Sequence, residues 1–169
     1  MSLISEEQFT GMFRDCDTAF RWEAQRSYRT SDAEAEALAR FTAGDPPTPD
    51  EYPEWQSWLD FIRELTGQGK TISRIRVVDG PPTGYQRWAM QAARYHVEAG
   101  ENIRWLPRAT AVSLGIPMND WWLFNDTSVV LMRFTDAGVS MTLATGPEIT
   151  RYRAWRDLAA GHATTTETV

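Results

Sequence analysis

Thr71-Ile72-Ser73-Arg74-Ile75-Arg76-Val77-Val78, followed by Gly80-Pro81-Pro82-Thr83-Gly84 and later by Asn102-Ile103-Arg104-Trp105-Leu106, is the stretch on which the fold turns. The first segment is rich in β-branched residues and reads as a strand. The prolines restart the chain as a long helix from about Gly84 to Ala99, with Trp88, Ala92 and Tyr95 on its apolar side and Gly100 as its stop. Asn102 to Leu106 is then a second short strand. Strand, helix and strand in that order predict a parallel crossover, which would be right-handed. The Gly80 to Gly84 turn sits where phosphate-binding loops occur, but it lacks a lysine, and its two prolines each remove an N–H donor. It reads as a rigid turn that sets the helix angle.

Working outward, Ser5-Glu6-Glu7-Gln8 has capping-box form and opens a helix carrying Phe9, Met12 and Phe13. Thr18 to Arg26 alternates, with Phe20, Trp22 and Ala24 on one side and Arg21, Glu23 and Gln25 on the other, as a strand does. Ser31-Asp32-Ala33-Glu34 starts a second helix that Gly44 ends. Asp45 to Pro53 holds four prolines and predicts an extended loop, the one plausible internal boundary. Trp55, Trp58, Leu59, Ile62 and Leu65 then recur at helical spacing, predicting a helix over Glu54 to Thr66.

Beyond the crossover the chain predicts a short helix at Arg108 to Leu114 and strands at Asp120 to Asn125, Ser128 to Phe134 and Val139 to Thr145. Tight turns at Asp126-Thr127 and Asp136-Ala137-Gly138 join these strands. Glu148 to Ala160 is the last helix. The expected architecture is mixed α/β: one mostly central sheet with a crossover and a C-terminal meander, flanked by helices. Residues 1–161 should form a single domain with the 1–53 part packed on it, and residues 162–169, rich in threonine, should fray.

Composition bounds the function. A chain of 169 residues with 42% hydrophobic content can bury a core unaided, and a lone Cys16 leaves no disulfide. With two histidines there is no Cys/His cluster for a metal, and no cofactor motif is present. A net charge of -6 argues against direct nucleic-acid binding, which needs a basic face. No apolar run is long enough to span a membrane, and Glu6 and Glu7 stand where a signal peptide would be basic, so a cytoplasmic protein is expected. Eight tryptophans imply either an aromatic core or an exposed docking surface, and Trp22 and Trp122 are expected in the core, with Trp55 or Trp58 near the surface.

The strand Asn119-Asp120-Trp121-Trp122-Leu123-Phe124-Asn125-Asp126 resembles the His-x-Lys-x-x-x-x-Asp motif of the phospholipase D superfamily with its chemistry removed. Asn119 stands for the nucleophilic His and Trp121 for the Lys, and only Asp126 is kept. An amide cannot attack phosphorus and an indole carries no cation, so phosphodiester chemistry is not expected and no catalytic residue is assigned. A more specific resemblance rests on Phe20-Arg21-Trp22-Glu23, Ile75-Arg76-Val77-Val78, Pro82 to Trp88, Gly100 to Arg108, Asp120 to Phe124 and Ala154-Trp155-Arg156-Asp157. In these segments the chain is similar to the actinobacterial domain-of-unknown-function family 6879, whose members are often encoded beside helix-turn-helix regulators. The resemblance implies an accessory or regulatory role. Gly84 and Asn125 depart from it, each where the family tends to carry an acidic residue.

The candidate groove residues are Arg21, Glu23, Arg76, Tyr85, Arg87, Asp120 and Asp126. If the apolar faces pack, Arg21, Arg76 and Arg87 converge and bind either a small anionic ligand or the acids Glu23, Asp79 and Asp120. Arg74 shares the Arg76 face. His96 on the long helix reads as a half-buried histidine, and the acids beside Cys16 raise its thiol pKa, so neither is expected to react. Three readings follow. The first is a non-enzymatic accessory domain that senses a ligand or binds a partner such as a helix-turn-helix regulator. The second is a small-molecule or phosphoester enzyme using Asp120 or Asp126 with Arg76 and Arg87. The third is a structural interaction module, with homo-oligomers compatible with any of them.

Overall fold

The computed structural model describes residues 1–28, 31–135 and 138–165. A seven-stranded mixed sheet forms the centre, in the order β1-β7-β6-β5-β2-β3-β4. Its strands are β1 (Ser2–Leu3), β2 (Thr18–Glu23), β3 (Thr71–Val78), β4 (Asn102–Pro107), β5 (Asp120–Phe124), β6 (Ser128–Thr135) and β7 (Gly138–Thr145). The helices are α1 (Glu6–Asp15), α2 (Asp32–Thr42), α3 (Pro53–Gly67), α4 (Gly84–Glu98), α5 (Arg108–Ser113) and α6 (Ile149–His162).

The expected crossover is present: β3 and β4 pair in parallel around α4. A second parallel pair, β2 with β3, encloses α2 and α3. From β2 outward through β5, β6, β7 and β1 every pairing is antiparallel. The β5–β6 connection is a three-residue turn, Asn125 to Thr127, closed by Thr127 N–H on the Phe124 carbonyl (3.0 Å), with Asn125 and Asp126 both at positive φ (49° and 57°), the left-handed geometry whose twist suits a hairpin. Asn125 also ties the β2 start to this turn, its Oδ1 accepting from the backbone N–H groups of Asp17 (2.8 Å) and Thr18 (3.0 Å). The turn expected at Asp136-Ala137-Gly138 has its first two residues outside the described ones.

The two sheet faces have different covers. On one, Trp22, Ile75, Leu106, Trp121 and Val129 pack against α5 and α6. On the other, Ala19, Ile72, Trp122, Phe124 and Val130 pack against α1 and α3, while Val78, Ile103 and Trp105 pack against Ala89 and Ala93 of α4. Adjacent residues of β5 therefore serve opposite layers. Trp121 meets Tyr152 edge-on at 5.3 Å, and Trp122 meets Phe13 edge-on at 4.9 Å. Trp22 and Trp122 lie in the core as expected, whereas both Trp55 and Trp58 are half-buried. α2 stacks outside α4 through Ala37, Tyr52, Trp88 and Ala92.

Several boundaries differ from the sequence reading. The first long strand stops at Glu23 rather than Arg26, because Ala24 N–H turns to Asp120 Oδ1 (2.9 Å). The proline-rich loop contains a 3-10 turn, Pro49–Glu51, closed by the Glu51 carboxylate on Thr48 N–H (2.8 Å). The expected fraying from residue 162 is not seen as far as Thr165, and residues 166–169 lie outside the described ones. α6 runs through His162, and Thr164 pairs with Trp105 on the β4 edge through reciprocal backbone bonds of 2.7 and 2.9 Å. That pairing covers edge N–H and C=O groups, a gain that composition cannot reveal.

Candidate functional site: an aromatic groove over a buried charge network

Strand parity builds the site. Arg21 and Glu23 of β2, Arg74 and Arg76 of β3, and Asp120 and Trp122 of β5 all point to the sheet face under α1, α3 and α4. Register sets Arg21 beside both Arg74 and Trp122, and Glu23 beside Arg76. The helices do not close over this patch. Between them lies a half-open groove of about 720 Å³ with Arg21, Glu23, Arg74, Arg76 and His96 in its floor. Tyr28, Tyr85 and Phe134 form one aromatic group along it, and Trp55, Trp58, Trp88 and Trp122 another. The volume is in the range of small-molecule sites.

The floor is a connected network of three guanidinium groups and three carboxylates. Arg21 reaches Asp120 (3.2 Å), and Arg74 donates to Glu101 (2.7 Å) and Glu23 (2.9 Å). Glu23 sits among all three cations, with Arg21 Nε at 3.4 Å and Arg76 Nε at 3.2 Å. The Arg76 contact is within ion-pair range, but the N–H is not aligned on the carboxylate, and Arg76 Nε has no hydrogen-bond partner. Its one hydrogen bond runs from Nη1 to the Ala89 carbonyl (3.1 Å). Arg21 additionally lies 5.5 Å from the Trp122 ring centre and 5.9 Å from that of Tyr28, favourable cation–π placements.

Burial and charge act in opposite directions on these groups. Burial pushes the Glu23 carboxyl up, but Arg76, Arg74 and Arg21 outweigh it and hold the group far below the usual carboxylate range. The same contest leaves Glu101 at about 2, with Arg74 and His96 supplying the opposing pull. Asp120 is raised by its burial, against Arg21, the Tyr28 hydroxyl (2.6 Å) and Ala24 N–H. With donors on both oxygens, it is held as the carboxylate. Burial lowers the pKa of His96 despite Glu101, so its imidazole is neutral near pH 7. The Glu101 carboxylate, 3.0 Å from Nδ1, fixes the Nδ1–H tautomer.

Glu101 owes its position to Gly100. With φ at 105°, Gly100 turns the chain sharply off α4, and a Cβ there would stand 2.5 Å from Thr66 Oγ1. The α4 start is fixed as firmly. Thr83 caps Gln86 N–H (3.1 Å), and the Gln86 side chain bonds Asp79 and Thr83, which presents Tyr85 to the groove.

Of the sequence candidates, Arg21, Glu23, Arg76 and Tyr85 line the groove, and Asp120 anchors Arg21 from behind. Arg87 and Asp126 lie elsewhere. Arg87 is exposed, with Nη1 on the Pro82 carbonyl (2.7 Å), because one helical step rotates it away from Trp88. Asp126 is at a hairpin tip, paired with Arg156 of α6 rather than with its own backbone. Asp79 joins Arg108 (2.8 Å) and Arg26 (3.1 Å), not the groove cations. Asn119 is exposed and Trp121 is buried on the opposite sheet face, so the three positions matched to the phospholipase D motif do not meet. Cys16 is buried, and burial raises its thiol pKa.

The sequence reading missed Glu101, Tyr28 and the functional place of His96. Glu101 has the parity of Ile103 and Trp105, a signal that could have set it on this face. Tyr28 lies in an irregular segment with no period to read. Chemically, the groove can hold an anion, and His96 is oriented as a base, but among the described lining residues Ser31 is the only serine or cysteine. Its Oγ caps α2, accepting from Glu34 N–H (3.4 Å). Among the described residues no group of three His, Cys, Asp or Glu side chains is disposed for a metal, and no helix is long and apolar enough to cross a membrane.

No curated protein matches the chain. A family model does, over residues 7–168, which takes in every element that builds the groove. The chain belongs to the family described as a domain of unknown function, DUF6879.

Proposed function

We propose that this domain is a non-enzymatic accessory module that binds a small anionic ligand in the aromatic groove and passes its occupancy to a partner protein such as a helix-turn-helix regulator. The observation that carries the reading is the floor. Three guanidinium groups stand on one sheet face inside an aromatic-walled groove, and only Glu23 among their partner carboxylates shares that lining. Burying three cations is costly, and a fold that needed only stability would do as well with apolar residues there. Asn119, Trp121 and Asp126 lie apart, which leaves phosphodiester chemistry without a site and supports the non-enzymatic part of the reading.

Thermal melting tests the proposal. Millimolar inorganic phosphate, a nucleotide or a carboxylic acid should include at least one anion that raises the melting temperature by mass action, and Arg76→Ala should erase that rise. If no anion stabilises the parent protein, or if the rise survives in Arg76→Ala, the reading fails. Turnover of generic phosphodiester substrates that Asp126→Ala abolishes would overturn its non-enzymatic part.

A further inference from the structure

The three floor arginines are not equivalent. Arg21 has Asp120 behind it, and Arg74 has Glu101; both acids have no exposed side-chain surface, so these pairs are internal. Arg76 has no acid of its own. It shares Glu23 with the other two, its one hydrogen bond goes to a neutral carbonyl, and its guanidinium lies 5.5 Å from the Trp105 ring centre; its Nε is unpartnered, as is that of Arg21, which has Asp120 on Nη2 instead. The residue is only 7% exposed, so water does little to satisfy it. A buried guanidinium with one of its five N–H groups engaged lacks the acceptors such groups normally find. Tyr85 stands beside it in the lining. No hydrogen bond from the Tyr85 hydroxyl is made among the described residues. Two donors, one charged and one neutral, thus line the same groove, neither with a carboxylate of its own.

Charge counting limits what can sit there. The floor network already balances, three guanidinium groups against Glu23, Glu101 and Asp120, and Glu34 and Glu54 add carboxylates to the lining, so an incoming anion brings its full added charge. One extra negative charge is tolerable beside Arg76. A dianion would double that charge over a floor that is already neutralised. The walls set the remainder of the ligand. Trp55 and Trp88 meet edge-on at 5.3 Å, and Trp122 and Trp58 continue the surface. Such a surface favours a planar, apolar body over a sugar or a polyol.

Resting on the ligand-binding reading above, we infer that the groove takes a planar aromatic monocarboxylate, its carboxylate on Arg76 and Tyr85 and its ring system among Trp55, Trp88 and Trp122. The carboxylate supplies the acceptor that Arg76 lacks, and charge-assisted pairing to a guanidinium is among the stronger hydrogen bonds available.

Calorimetric titration with four probes tests this: 1-naphthoate, the neutral 1-naphthalenemethanol, 1-naphthyl phosphate and inorganic phosphate. In the parent protein the acid should bind at least about tenfold more tightly than the alcohol and more tightly than either phosphate, as one charge-assisted pair implies. Arg76→Gln should weaken the acid by about 10- to 100-fold and leave the alcohol unchanged. Tyr85→Phe, which removes only a hydroxyl, should weaken it several-fold, and Arg87→Gln, outside the groove, should not. If Arg76→Gln fails to fold, Arg76→Lys and Tyr85→Phe carry the test, since each must still weaken the acid selectively. Equal binding of acid and alcohol overturns the anionic class while leaving a ligand groove standing. Tighter binding of the naphthyl phosphate overturns the monoanion. Binding of none of the four at millimolar concentration overturns this inference, while the ligand-binding reading stands or falls separately on the melting series with phosphate, nucleotide and carboxylic acid.

Discussion

The two faces of the central sheet come from the same strands but carry opposite chemistry. Under α5 and α6 the inward residues of β2, β3 and β5 are Phe20, Trp22, Ile75, Val77, Trp121 and Leu123, a continuous apolar layer. One residue over on each strand stand Arg21, Glu23, Arg74, Arg76 and Asp120. The α5/α6 side is apolar throughout, whereas on the other side the apolar packing against α1 and α3 borders a charged patch. The opposite face can then hold charges that cost desolvation, which is where function is expected to sit when a local rule is broken.

This contrast is open to breakage. The largest expected effect is on the apolar side. Trp121→Ala removes a fully buried indole between Trp22, Phe20 and Tyr152 and should cost ~3–5 kcal/mol in denaturant unfolding without altering the groove chemistry. A parent-like midpoint would mean that this layer is not the stabilising one. On the charged side, Glu23→Gln leaves three guanidinium groups facing a neutral amide and should cost ~3 kcal/mol or more. If that variant were as stable as the parent, the network would not be electrostatically closed.

The pH dependence is smaller and has a definite sign. The folded pKa of His96 is depressed, so below its unfolded value near 6.5 the unfolded chain binds the extra proton and stability falls. Glu23 and Glu101 are also depressed, so their contribution is present above about 4.5 and is lost as pH drops toward their folded values. Stability should therefore begin to fall below about pH 6.5 and fall more steeply below about 4.5. His96→Gln should remove only the first part; an unchanged profile in that variant would reject the assignment. The smallest effect is expected at Asp126. Its pair with Arg156 is partly exposed, and Asp126→Ala should change stability by ~1 kcal/mol or less while leaving ligand binding untouched.

How much of this was legible in the sequence depended on whether a local period carried it. Alternation placed Arg21 with Glu23 and Arg74 with Arg76 on shared faces, and helical spacing found Leu59, Ile62 and Leu65, because each signal repeats within one element. Arg87 was expected in the groove from its nearness to the strand end, yet helical rotation turns it outward, away from Trp88. Asp126 was grouped with Asp120 by sequence proximity, but a strand's length and a hairpin separate them. The Glu101–His96 pair depends on the sharp turn at Gly100, and Arg74 meets Glu101 only through the β3–β4 register. Tertiary register, unlike periodicity, leaves no trace in one segment. The pairing of Thr164 with Trp105 was hidden for the same reason.

The central claim is that Arg76, the one floor guanidinium with no carboxylate of its own, is the group left for a ligand. It is tested most directly by the side-chain Nε–Hε nuclear magnetic resonance signals of Arg21, Arg74 and Arg76, assigned by substitution and followed during titration with 1-naphthoate. The account predicts that the Arg76 signal moves most and gains protection from solvent exchange, while the Arg74 signal, already held by Glu101, stays in place. A spectrum in which Arg74 or Arg21 responds and Arg76 does not would contradict it.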